Sequence, residues 1–505
     1  MRAWRRSSWA ELSSGFILDC ELLSCKLWNM KKEPDSQIWD TNPGWWTLRL
    51  AAPLIAAAAV RLVLAIFEYS QMGVSALLHS DTYTYLIPGR NLLLHGQFMA
   101  DGVPDLLRTP GYPLFLAVTS LGGFPLASAI NQLLSALTLI LVWKLGRAVF
   151  QDERIALGAV WLFAFEPIAM GSSFVLTSET LFLAIFLLCM ERLAAFLRGR
   201  DLRVLAVAGL LLGVTTLVRP VTYYLPVALA AGLFVVLARI PTLRWKAPAV
   251  LLICVIPWLA AWQIRNRLET GYHGFTSISD AALYYLSAAC LAARLEHRPA
   301  NDVIEELQYG DYAGNSGQSY LFAPYLAQHP EQAGWSQAQR LAFMHDSSVS
   351  LIKAHLGTYL GLCAKDLVTI VFYPGVYYFD RSLHPKHPGH TSGIFNESQS
   401  ISKMYAKVQA DPFLAVETAL SWMVLLAVYL LAARALWLAA RGSFHGSLHS
   451  ASLWLLLGVS VYFLAVSAAL VQGPLATARY RLPVMPVVCI LAAAGFQRSK
   501  AMWQS

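Results

Sequence analysis

TSETLFLAIFLLCMERLAAFLRGR, residues 177–200, decides the fold. The run from Leu181 to Met190 is wholly apolar, Glu179 stands before it, and Arg192, Arg198 and Arg200 follow it. A helix needs about 20 mostly apolar residues to cross a bilayer core, and residues 177–196 supply them. Short loops on the cytoplasmic side collect Lys and Arg. The stretch therefore has a direction: its arginines lie inside and Glu179 lies at the outer end.

Similar runs occur near residues 47–68, 124–143, 155–171, 203–218, 222–239, 248–264, 412–433, 451–471 and 483–496. Basic residues fall in alternate connections: Lys144, Arg147 and Arg154; Arg239, Arg244 and Lys246; Arg434 and Arg441. Arg2, Arg5, Arg6, Lys26, Lys31 and Lys32 precede the first run, and Arg498 and Lys500 follow the last. All lie inside if both termini are cytoplasmic. The expectation is an all-α integral membrane fold of about 10–12 transmembrane helices with external interfacial helices.

Composition agrees. Of 505 residues, 57% are hydrophobic and 13% charged, where soluble domains carry about 25% charge. The net charge of +8 is spread over short connections rather than gathered on one face, which argues against nucleic acid as a partner. Seven cysteines without a CxxC pair give no disulfide scaffold. The order reads as a cytoplasmic tail (1–46), a transmembrane region (47–264) containing a first external loop (69–123), an external or interfacial helical region (265–411), and carboxyl-terminal transmembrane helices (412–505). Within 265–411, LIKAHLGTYLGLCAKDLVTIVFYP (351–374) could span, but Lys353, His355, Lys365 and Asp366 would be costly there. It is expected as one helix lying in the outer interface.

The first external loop contains HSDTYTYLIPGRNLLLHGQF (79–98) and LLRTPGYPLFLA (106–117). Asp81 falls near the headgroup level. Desolvation beside apolar surface would raise its pKa and suit it to take a proton from a hydroxyl. FEPIAMGSSFVLTSETLF (165–182), LVRPVTYYLPV (217–227), IPWLAAWQIRNRLETGYHGF (256–275) and ATARYRLPVMPVVCILAAAGF (476–496) place Glu179, Arg219, Arg265, Arg479 and Arg481 at outer helix ends. Glu166 reads as structural, and Arg61 as a side chain snorkelling to the interface. His384, His387 and His390 lie in a Pro/Gly-rich tract without ligand spacing. The aromatics, Tyr377 and Tyr378 among them, read as an interfacial belt or, for that pair, a sugar-stacking surface. No GxxxxGK[ST], HExxH or GxSxG motif occurs, which argues against a nucleotide-driven pump, a zincin and a serine hydrolase.

In this order these six stretches resemble the GT-C membrane glycosyltransferases, in the branch of bacterial protein O-mannosyltransferase-like and aminoarabinose-transferase-like proteins. The family often carries two adjacent acids where this chain has Ser80-Asp81-Thr82. The resemblance implies inverting transfer of a hexosyl or pentosyl group from a polyprenyl-phosphate donor to a hydroxyl of a lipid, glycan or protein at the outer membrane face. The setting would be a bacterial inner or plasma membrane. Asp81 and Glu179 would be catalytic. Arg219, Arg265, Arg479, Arg481 and Tyr480 would bind the donor phosphate, and His79, Tyr85, Arg108 and Tyr112 would line the substrate loop. The resemblance implies transfer that is metal-independent or only weakly metal-dependent, with no cofactor and no metal site indicated. The alternative is a transporter or flippase for a lipid-linked solute, which should carry ionisable groups near the bilayer midplane.

Overall fold

The computed structural model describes residues 44–307, 326–375, 409, 412–441, 451–473 and 476–497. Contacts divide the chain into Met1–Leu50 and Ala51–Ser505, and the candidate site described below lies wholly in the second unit. The expected tail, except the residues that open helix Gly44–Met72, lies outside the described residues, as do Tyr377, Tyr378, His384, His387 and His390.

The fold is all-α: the sheet among the described residues is one hairpin pairing Met99–Ala100 with Val103–Pro104. Among the described residues, six helices are long and apolar enough to cross a membrane: Arg49–Leu77, Phe124–Phe150, Glu179–Gly199, Pro241–Thr270, Ala415–Ala440 and Ala451–Leu470. Shorter apolar helices cover Gly111–Gly122, Leu202–Val218, Pro220–Val236 and Met485–Phe496.

The helix that decided the reading is also the central one. Its apolar window is 78% buried, against 22% for Arg49–Leu77, Pro241–Thr270 and Ala415–Ala440. A helix apolar on every side is driven to the middle of a bundle. It packs against Phe124–Phe150 and Leu202–Val218, and Phe182 and Phe186 meet the edge of Phe463. Its amino-terminal end thus sits where several helix ends converge.

Two expected helices are broken. The run 155–171 divides into Glu153–Ala164 and Pro167–Gly171. The residue before a proline is pushed out of the helical region. Glu166 accordingly takes φ −66°, ψ 122° and caps the second piece, accepting a bond from Ala169 N at 2.6 Å. The run 351–374 divides at His355 into Gln337–Ala354 and Leu356–Phe372. Asp366, a charge that argued against crossing, is buried and accepts from Gly473 N at 3.4 Å, so protein rather than water meets it.

Beyond helix Pro241–Thr270 the described chain continues as short helices from Ser277 to Leu295, interrupted by a π turn at Leu283–Ala288. Tyr272, Ala281 and Tyr285 pack around Leu106. The hydroxyl of Thr276 donates to Leu107 O at 2.7 Å and Ser277 N to Leu106 O at 2.8 Å. This region therefore grips the loop just ahead of Arg108. Helix Ser80–His95 approaches Gly111–Thr119 so closely that a Cβ at Gly89 would overlap the Pro113 carbonyl. Glycine there brings Asp81 and Tyr112 onto one structural unit.

Candidate active site

Helix Ser80–His95 opens with a reciprocal cap. His79 Nδ1 accepts from Asp81 N at 3.1 Å, and Thr82 Oγ1 accepts from His79 N at 2.8 Å. The Thr82 hydroxyl also donates to Leu176 O at 3.0 Å, tying the helix start to the segment ahead of Glu179. Asp81 lies in the first turn, where the helix dipole favours negative charge.

Arg108 is placed by an Asx turn: Asp105 Oδ1 accepts from Leu107 N at 2.6 Å and from Arg108 N at 3.0 Å. Its guanidinium then donates to Thr84 Oγ1 and Tyr85 OH at 3.0 Å each, and to Asp81 Oδ1 at 2.8 Å. The Tyr85 hydroxyl lies 3.3 Å from Ser178 Oγ, and its ring meets Tyr112 edge-on at 4.8 Å.

Arg219 precedes Pro220, which forces it extended (φ −141°, ψ 118°) and ends helix Leu202–Val218. From that bend its Nη1 reaches Glu179 Oε1 at 2.7 Å. Arg479 stands on the short 3-10 turn Ala478–Arg481. Its Nε donates to Glu179 Oε1, and its Nη1 and Nη2 lie 3.1 Å from Asp81 Oδ2. One guanidinium therefore bridges the two carboxylates. Glu179 is 1% exposed.

Asp81, Glu179, Arg108, Arg219 and Arg479 form one cluster, with His79, Tyr85 and Tyr112 around it. Tyr480 lies in the cluster's field, and burial pushes its phenol pKa up. The expectation of a raised Asp81 pKa is overturned. Burial alone would raise it, but Arg108 and Arg479 outweigh that and hold the carboxyl well below its ordinary value.

Three arginines do something other than expected. Arg265 donates to Asp105 O at 2.7 Å and Phe98 O at 2.6 Å and pairs with Glu269 at 2.6 Å. It clamps the loop that carries Arg108 instead of facing the carboxylates. Arg481 is 2% exposed and points away, donating to the carbonyls of Ile370, Val371 and Tyr373. Arg61 does not snorkel: it is buried and donates to Ala164 O at 3.1 Å. Asp105 went unread in the sequence, although an acid just ahead of Leu107 and Arg108 is the mark of such a turn.

Among the described residues no group of three His, Cys, Asp or Glu side chains could hold a metal ion. The cluster offers three guanidiniums, from a loop, a helix end and a 3-10 turn, suited to an anionic oxygen group, beside a carboxylate able to accept a proton.

Residues 109–262 match the family of dolichyl-phosphate-mannose-protein mannosyltransferases. The matched segment contains Tyr112, Glu179 and Arg219 and stops short of Arg265. The GT-C resemblance read from the sequence is borne out by this match. No curated protein sequence matches the chain. Among solved structures, the oligosaccharyltransferase AglB of Archaeoglobus fulgidus, in complex with an inhibitory peptide and a dolichol-phosphate, is 14% identical over 89% of this chain and 50% of its own, with a TM-score of 0.46. The apo oligosaccharyltransferase of Archaeoglobus fulgidus gives 13% identity, 90% and 51% coverage, and a TM-score of 0.48. ArnT of Cupriavidus metallidurans in the apo state gives 12%, 83% and 78%, and 0.33. The chain spans about half the length of the two archaeal chains.

Proposed function

We propose that this chain is a glycosyltransferase that moves a sugar from a polyprenyl-phosphate donor to a hydroxyl acceptor at the outer membrane face, with inversion. The observation that carries the reading is Arg479 bridging Asp81 and Glu179, flanked by Arg108 and Arg219. The family match over 109–262 supports the reaction class.

A polyprenyl tail dissolves in the bilayer and leaves its phosphate at the headgroup plane. There, guanidiniums would stabilise the negative charge that grows on the leaving phosphate. The acceptor oxygen attacks the anomeric carbon from the side opposite the phosphate. The bond from that carbon to the phosphate oxygen breaks as the new glycosidic bond forms. Asp81 takes the hydroxyl proton. Glu179 holds Arg219 and Arg479 in place and orients the site. Charge relief comes from arginine, so the reaction runs without a divalent metal. The basic connections support reading the cluster as lying on the non-cytoplasmic side, in a setting taken to be a bacterial inner or plasma membrane.

The test is a reconstituted assay of Asp81→Asn against a panel of polyprenyl-phosphate sugars. Loss of transfer with donor binding retained is expected; turnover equal to the parent's would remove Asp81 from the mechanism.

A further inference from the structure

The reading above leaves a conflict at Arg479. A phosphate that uses this guanidinium meets one already engaged by two carboxylates. Asp81 Oδ2 lies 3.1 Å from both Nη atoms, and Glu179 Oε1 takes Nε. Glu179 also holds Arg219 at 2.7 Å, and Asp81 also holds Arg108 at 2.8 Å. Every arginine of the cluster is thus paired with an internal carboxylate.

We infer that Glu179 and Asp81 are built-in rivals of the donor phosphate, lowering its affinity and yielding the arginines when it binds. Arginine's planar fork serves a carboxylate and a phosphate with the same N–H groups, so the two anions compete for it. Glu179 is the stronger rival, since it is buried and joins Arg219 to Arg479. Asp81, once its arginines turn to the phosphate, loses the charges that hold its pKa down and becomes a better proton acceptor. Donor binding and activation of the base are then one event. Glu179 acts through Arg219 and Arg479 and is a positioning residue. This inference rests on the donor reading.

The experiment measures binding of a polyprenyl monophosphate to the full chain in lipid nanodiscs, for the parent, Glu179→Gln and Asp81→Asn. Thermal unfolding and monodispersity report whether each variant is folded. Both variants are expected to bind about fivefold tighter than the parent, and high salt should shrink the gain. Damage to the fold could only weaken binding, so a gain cannot come from a structural role alone. Equal or weaker binding by folded variants, with the parent binding normally, overturns the rivalry and leaves the donor reading standing. Absence of binding by the parent and both variants overturns the donor reading and the inference with it. Should Glu179→Gln fail to fold, Asp81→Asn decides alone, because its side chain lies at the partly exposed start of its helix.

Discussion

Asp81 and Arg479 stand 398 positions apart, yet the carboxylate of one meets both terminal nitrogens of the other at 3.1 Å. The first connection of the bundle and the turn before its last helix thereby share one charge cluster. Each element brings a group the other lacks.

Asp81→Asn should lower transfer by about 10²–10⁴-fold, the usual worth of a general base. The measurement is turnover with saturating donor and acceptor. The protein should still be produced and should still bind donor.

Arg479→Ala should raise the donor KM by about tenfold or more, as loss of a charge-assisted hydrogen bond implies. The acceptor KM should change much less. Steady-state kinetics with each substrate varied in turn checks this; equal losses for both would contradict a phosphate role. Arg479→Lys should not restore the parent's values, because a point charge cannot bridge two carboxylates with one planar fork.

The Asp81 carboxyl is held below its ordinary value, which fixes the sign of a pH effect. A depressed carboxyl pKa adds stability that is present above the unfolded value of about 4. That stability is lost as pH falls through the lower folded value. In the free enzyme the base is therefore ionised across the neutral range. The acid limb of the kcat/KM profile, which reports the free enzyme, should fall below about pH 4. A limb near neutrality would show that Asp81 is not the titrating base.

Arg481→Met should destabilise the protein by about 1–3 kcal/mol, because it leaves buried carbonyl acceptors without their donor. Burial and the carbonyls of residues 370, 371 and 373 single it out. Thermal unfolding in detergent should show a clear drop. Arg479→Ala, two positions away and partly exposed, should show a smaller one.

A chelator should leave transfer unchanged if the arginines alone meet the phosphate charge. Loss of activity on chelation, restored by a divalent cation, would contradict the metal-free reading.

Much of this architecture was legible in the sequence, and the reason is physical. Long charge-free runs have few alternatives to burial as helices. The 177–200 run disclosed both a helix and a carboxylate at its end. Position alone could not say which way an arginine turns. Arg219, Arg265, Arg479 and Arg481 all occupy helix ends, but only Arg219 and Arg479 face the carboxylates. Arg265 answers to the carbonyls of Phe98 and Asp105, and Arg481 to those past Ile370. Those partners come from distant segments, and a linear reading carries no sign of them. The break at Glu166-Pro167 was different: its proline stood in plain view, but the surrounding apolar run masked it.

The bridge between Asp81 and Arg479 also sets a timetable. A nascent chain inserted as far as residue 475 would hold its acid without the guanidinium that faces it. Chemical competence must therefore wait until 476–496 has cleared the ribosome and docked. On the proposed reading, no partial chain would act on lipid-linked sugars before that point.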